Sequence, residues 1–134
     1  EDHSELHALA RVLNLMIMME LGKADLLPYI LRNLQRTMRS QKRPNSLLKV
    51  MMNFSRERLH RSKQARSQFQ DLADDLEVLS AQSAVAAALD QVDLLSWALA
   101  KSRGRSFGEV VRERWAAHHS LKTKRGSSGP LKAA

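Results

Sequence analysis

Four arginines, Arg32, Arg36, Arg39 and Arg43, fall at i, i+4, i+7 and i+11, a spacing that lines one face of an α-helix with one side chain per turn of about 5.4 Å. No carboxylate stands three or four residues from any of them, so no local ion pair neutralises the stripe. Residues 31–70 also contain Lys42, Lys49, Arg56, Arg58, Arg61, Lys63 and Arg66, eleven bases in all against the single acid Glu57. Guanidinium groups remain charged at physiological pH and present forked donors that match phosphate oxygens. The chemistry this pattern suits is phosphate binding along a polyanion. Arg56, Arg58, Arg61, Lys63 and Arg66 differ from the stripe, because at 100° per residue they point all round a helix. They suit either a mobile, solvated connector or a loop that folds around phosphates. Lys101, Arg103 and Arg105 flank Gly104 and add a third basic element.

Other combinations offer less. His3 and His7 at i, i+4 have no evident third metal ligand, and His118 and His119 point about 100° apart on a helix. Asp71 with Asp75, and Asp90 with Asp93, have spacings that could hold Mg²⁺, but a solvated acidic face is the simpler reading. The chain has no cysteine, so it has no disulfide, thiolate metal site or cysteine nucleophile, and no Gly-rich phosphate loop is present. A non-enzymatic protein without metal or cofactor is expected. The six aromatics are Tyr29, Phe54, Phe69, Trp97, Phe107 and Trp115. Several sit at core-facing positions, so no interleaved stacking platform is expected and recognition would rest on shape and charge. Met16, Met18, Met19, Met51 and Met52 read as adaptable core filler, or alternatively as an apolar partner groove.

Charge is distributed in blocks. Residues 1–30 carry two bases and five acids, 31–70 eleven and one, 71–100 none and six, and 101–134 nine and two, for a net charge of +8. The rival to an external polyanion is therefore an internal match, with Asp71, Asp74, Asp75 and Glu77 packed against the stripe. Six acids cannot neutralise the eleven bases of the neighbouring block, which favours an outside partner. The longest apolar run, residues 12–19, is interrupted by Asn14 and falls short of the ~18 residues of a membrane span. No membrane association and an intracellular, cytoplasmic location are expected, the cysteine-free composition being neutral on the point.

These residues need helices to position them. The pattern predicts a single all-α domain over residues 1–121, a bundle of about five helices, followed by a disordered basic tail over 122–134. The first helix starts at Asp2, which caps with Glu5, and stops near Gly22. It is expected at the centre of the core, with Leu6, Leu9, Leu13, Met16 and Ile17 inward. Asp25 is expected to cap a second helix that tolerates Pro28 in its first turn and ends before Pro44. There Leu27, Ile30, Leu31, Leu34 and Met38 oppose the arginines. Asn45 caps a third helix, with Leu47, Leu48, Val50, Met51 and Phe54 inward. Residues 45–103 contain neither Gly nor Pro. One helix of that length would reach about 88 Å, against a radius of gyration of about 14 Å for a compact domain this size. A break is expected within 55–68, followed by a Ser67–Gln70 capping box and a helix with Phe69, Leu72, Leu76 and Leu79 inward. A second break at 80–83 leads into the Ala-rich segment, whose stripe is Val85, Leu89, Val92, Leu95 and Leu99. Gly104 ends that segment. Ser106 and Glu109 form another capping box, opening a last helix with Phe107, Val111, Trp115 and His118 on one face.

The segment LAKSRGRSFGEVVRERW, residues 99–115, resembles the helix corner of ribbon-helix-helix DNA-binding proteins, in which a Gly-centred turn precedes a Ser-capped helix. That resemblance covers seventeen residues and implies a β-ribbon formed by AVAAALD, a segment of poor β propensity. The plainer reading is a helix-turn-helix connection. The expected function is nucleic-acid binding through RNA or DNA backbone phosphates, as a small subunit of a larger nucleoprotein complex with other protein subunits or self-association. A helical protein–protein interaction module or oligomer and a DNA-binding transcriptional regulator are the alternatives.

Overall fold

The computed structural model describes residues 4–23, 25–40, 45–60 and 64–127, with side chains described between 7 and 120. All regular structure in these residues is helical: α1 (Ser4–Glu20), α2 (Leu27–Arg39), α3 (Ser46–His60), α4 (Ala65–Leu79), α5 (Ser83–Gln91), α6 (Leu94–Arg103) and α7 (Phe107–Ser127). This is an all-α bundle, as the periodicity predicts, but with seven helices rather than about five. One added break is at residues 92–93, where Val92 turns extended (φ −129°, ψ 108°) and ends α5. Asp93 then caps α6 by accepting from the Ser96 amide at 3.0 Å. A capping Asp favours a new helix start at this point, because it satisfies the exposed amides of the helix that follows.

The centre of the core is α6, not α1. Every residue from 94 to 100 is buried, consistent with LLSWALA carrying no charge and including two alanines that allow close approach. Helix α6 packs on α4 and α7; α3 packs on α4, α1 and α2. Phe54, Phe69 and Trp97 join α3, α4 and α6, with ring centroids 4.9 to 6.3 Å apart and mostly edge-on, the favoured aromatic geometry. Around them Leu15, Leu48, Leu72, Leu76 and Leu94 are at most 2 % exposed, each stabilising the fold by about 1.5–3 kcal/mol. On α1 the buried face is Ala8, Val12 and Leu15, whereas Ile17 is 43 % exposed and Leu9, Leu13 and Met16 are half-buried. The helix is thus rotated from the predicted phase, since α1 is apolar nearly all round at 12–19 and little in its pattern selects one face.

Local signals hold at several junctions. Gly22 (φ 68°) and Gly104 (φ 65°) adopt the left-handed conformation that ends α1 and α6, where a side chain would be strained. The Asn45 side chain accepts from the Leu48 amide at 3.0 Å, and Ser106 caps the start of α7 as predicted, Glu109 N–H donating to Ser106 Oγ at 3.2 Å while the Ser106 hydroxyl, not its amide, donates to the Glu109 carboxylate. Helix α2 has Pro in its first turn but begins after Leu26 without a side-chain cap, so Asp25 does not serve there. Nor is there a capping box at Ser67. Helix α4 starts earlier, after the extended residue Gln64, and Gln68 is buried instead. The predicted connector is helical through His60, with the buried Ser55 hydroxyl donating to the Met51 carbonyl at 2.8 Å. Only the 61–63 part of the expected break lies outside the described residues. AVAAALD lies in α5, so the ribbon implied by the ribbon-helix-helix resemblance does not exist. Helix α7 runs on through residues 122–127 of the predicted tail, and the rest of that tail, 128–134, lies outside the described residues. Among the described residues, no helix is long and apolar enough to cross a membrane.

Candidate nucleic-acid interface

Helix α2 is amphipathic in the expected sense. Leu27, Leu31 and Leu34 are buried against the bundle, and Arg32, Arg36 and Arg39 are exposed. At 100° per residue the arginines centre about 140° from the leucines, and their Cα atoms are separated by about 6 and 4.5 Å along the axis. Ion pairs between described residues include Lys101 with Glu20, Arg105 with Glu109 and Glu113, and Arg114 with Asp93. None of these involves Arg32, Arg36 or Arg39. Nor does the fold dedicate the acidic helix to them, because α4 packs on α3 and α6 while the chief neighbour of α2 is α3. Asp74, Asp75 and Glu77 are exposed on α4, and Gln70 donates to Asp74 at 3.0 Å. Arg36 and Arg39 also sit in the last turn of α2, where positive charge is favoured by the helix dipole. That accounts for two arginines but not for Arg32, at mid-helix.

The other sequence-predicted cations separate into groups. Lys42, Arg43, Arg61 and Lys63 lie outside the described residues. Arg58 is half-buried; it donates to Gln68 Oε1 at 2.7 Å and sits 5.9 Å from the centre of the Phe69 ring. Arg56 reaches Asn53 at 3.4 Å. Both are helical side chains of α3 and not parts of a loose connector. Lys101 pairs with Glu20 at 2.8 Å, and the same carboxylate oxygen accepts from Trp97 Nε1 at 2.6 Å. The Lys101 hydrogen bond, with help from Trp97, holds the Glu20 carboxyl below the usual carboxylate range despite its partial burial. Glu20, Arg58 and Lys101 help line a cleft of about 380 Å³ with Met18, Met19, Leu27, Leu59, Phe69 and Trp97. These two cations therefore belong to a mixed-charge apolar cleft rather than to the face of α2.

Around Gly104, Arg103 is exposed, and the Arg66 guanidinium lies so close that a methyl group at Gly104 would meet its Nη2 at 2.5 Å. Arg105 is held by Glu113 and Glu109, whose hydrogen bonds raise its pKa; Arg105 and Ser106 in turn lower that of Glu109. The positive charge of Arg105 is matched within the fold, which removes it from the candidate surface. Asp93 is occupied as well, capping α6 while accepting from Arg114 at 3.1 Å. That role differs from the Mg²⁺ pairing its spacing with Asp90 suggests.

The aromatics include a residue that sequence reasoning passed over. Phe54, Phe69 and Trp97 are core, but Tyr29 is 62 % exposed. Tyr29 stands three residues before Arg32 and seven before Arg36, on the arginine side of α2; its place on the helical wheel was the available signal. Trp115 is also 62 % exposed and stacks on His119 at 3.8 Å, but on α7. No protein-family model, curated protein or solved structure matches the chain.

Proposed function

We propose that this is a non-enzymatic nucleic-acid-binding protein that grips backbone phosphates along the exposed face of α2, working inside the cell as a small subunit of a larger nucleoprotein assembly. A single observation carries the reading: Arg32, Arg36 and Arg39 are exposed on one rigid face with no ion pair among the described residues. Exposed, uncompensated arginines in register repel one another, a cost that a polyanion removes by supplying phosphates to their donors. The binding surface is smaller than the charge count suggests. It consists of the stripe, with Arg103 and Arg66 as a second basic point at the turn between α6 and α7, while Arg58, Lys101 and Arg105 serve the fold.

Replacing Arg32, Arg36 and Arg39 together with Glu is expected to abolish retention on heparin and on nucleic acid at about 50 mM salt. The helical circular dichroism spectrum should be unchanged, because all three side chains are exposed. Undiminished retention by the triple variant would sink the proposal.

A further inference from the structure

We propose that α2 receives an unpaired polynucleotide strand, with Tyr29 stacking on a base while Arg32 and Arg36 hold the adjoining phosphates; this rests on the phosphate-binding reading above. Tyr29 is 62 % exposed, although an aromatic ring on a half-buried helix gains most from packing against its neighbours. The buried side of α2 is already filled by Leu27, Leu31 and Leu34. The ring instead shares the outward side with the arginines, about 4.5 Å along the axis from Arg32 and 10.5 Å from Arg36.

Charge alone does not discriminate between duplex and single strand, since both present phosphates. An exposed ring beside them does. In a duplex the base faces are covered by their neighbours, whereas an unpaired strand can turn a face onto an aromatic side chain. With one ring on the basic face, stacking engages a single base and tolerates any sequence. Phe54, Phe69 and Trp97 are committed to the core, and Trp115 lies on α7, which packs on α6 rather than beside α2.

The chain contains one tyrosine and no cysteine, so nitration by tetranitromethane, read by mass on the α2 peptide, reports on Tyr29. Single-stranded oligo-dT and oligo-rU of about twenty nucleotides are expected to protect Tyr29 from nitration, and a duplex of equal length to leave it reactive. Tyr29→Ala should weaken single-strand binding by between about 5-fold and 160-fold, the range of one base–aromatic stack. Duplex binding should be unaffected and Tyr29→Phe should retain affinity. Equal affinity for both forms, with Tyr29 unprotected and Tyr29→Ala neutral while the triple Arg→Glu variant still loses binding, would overturn the stacking and leave the phosphate grip standing. Failure of the wild-type protein to bind either form would overturn both.

Discussion

Gln68 is fully buried on α4 and hydrogen-bonded through both its amide nitrogen and its oxygen. Its amide donates to the Glu57 carbonyl at 2.9 Å, and its oxygen accepts from Arg58 at 2.7 Å. The residue thereby ties the end of α3 to the start of α4 and holds Arg58 beside Phe69. Gln68→Leu keeps the bulk but leaves a carbonyl and a guanidinium without their partner. A loss of about 1–3 kcal/mol in urea unfolding is expected. Glu20 ties α1 to α6 by a similar logic, through Trp97 and Lys101. Because folding lowers its pKa, its contribution is complete above the unfolded carboxylate pKa and fades as pH falls through the lowered folded value. Its side chain is 39 % exposed, so solvent screening limits the effect, and Glu20→Gln should cost about 1 kcal/mol at pH 7. The difference between wild type and variant should close as the pH falls below about 4, measured from unfolding midpoints. Single residues were legible where the signal is local, as with the Asn45 cap. Gln68 was not, because its partners are ten and eleven positions away and its neighbours Ser67 and Gln70 mimic a capping box.

At the scale of elements, a helix could be read wherever its two faces differ in kind. Helix α2 has leucines on one side and arginines on the other, and its buried residues are the predicted ones. Helix α1 offers too little contrast to set its phase, and its buried face had to come from packing. The division between α5 and α6 was hidden differently, since the chain there continues alanine and leucine without Gly or Pro. Asp93 marks it, and the same residue anchors α7 through Arg114, which also donates to Ser96 Oγ at 2.7 Å. Asp93→Ala removes a cap and an ion pair together. Stability should fall by about 0.5–2 kcal/mol, and amide hydrogen exchange should quicken in the first turns of both α6 and α7. Exchange confined to α6 would show that Arg114 does not secure α7.

Across the whole molecule, the segregation of charge along the chain does not become a simple pairing of basic and acidic faces. The fold interposes α3 between α2 and α4 in the packing and satisfies selected cations with Glu20, Glu109 and Glu113. This sorting could not be read from the sequence, because Glu20 and Lys101 are far apart in the chain and meet only through the position of α6. What sequence reasoning did identify on α2, Arg32, Arg36 and Arg39 of the stripe, is the part that the fold leaves outward. The most direct test is the salt dependence of binding to a single-stranded oligonucleotide, comparing wild type with the Arg32→Ala, Arg36→Ala and Arg39→Ala triple variant. Each phosphate contact on a single strand contributes about −0.7 to the slope of log K against log salt. A phosphate grip by these three arginines predicts a slope shallower by roughly 2 in the variant, with its helical content intact. An unchanged slope and affinity would contradict it.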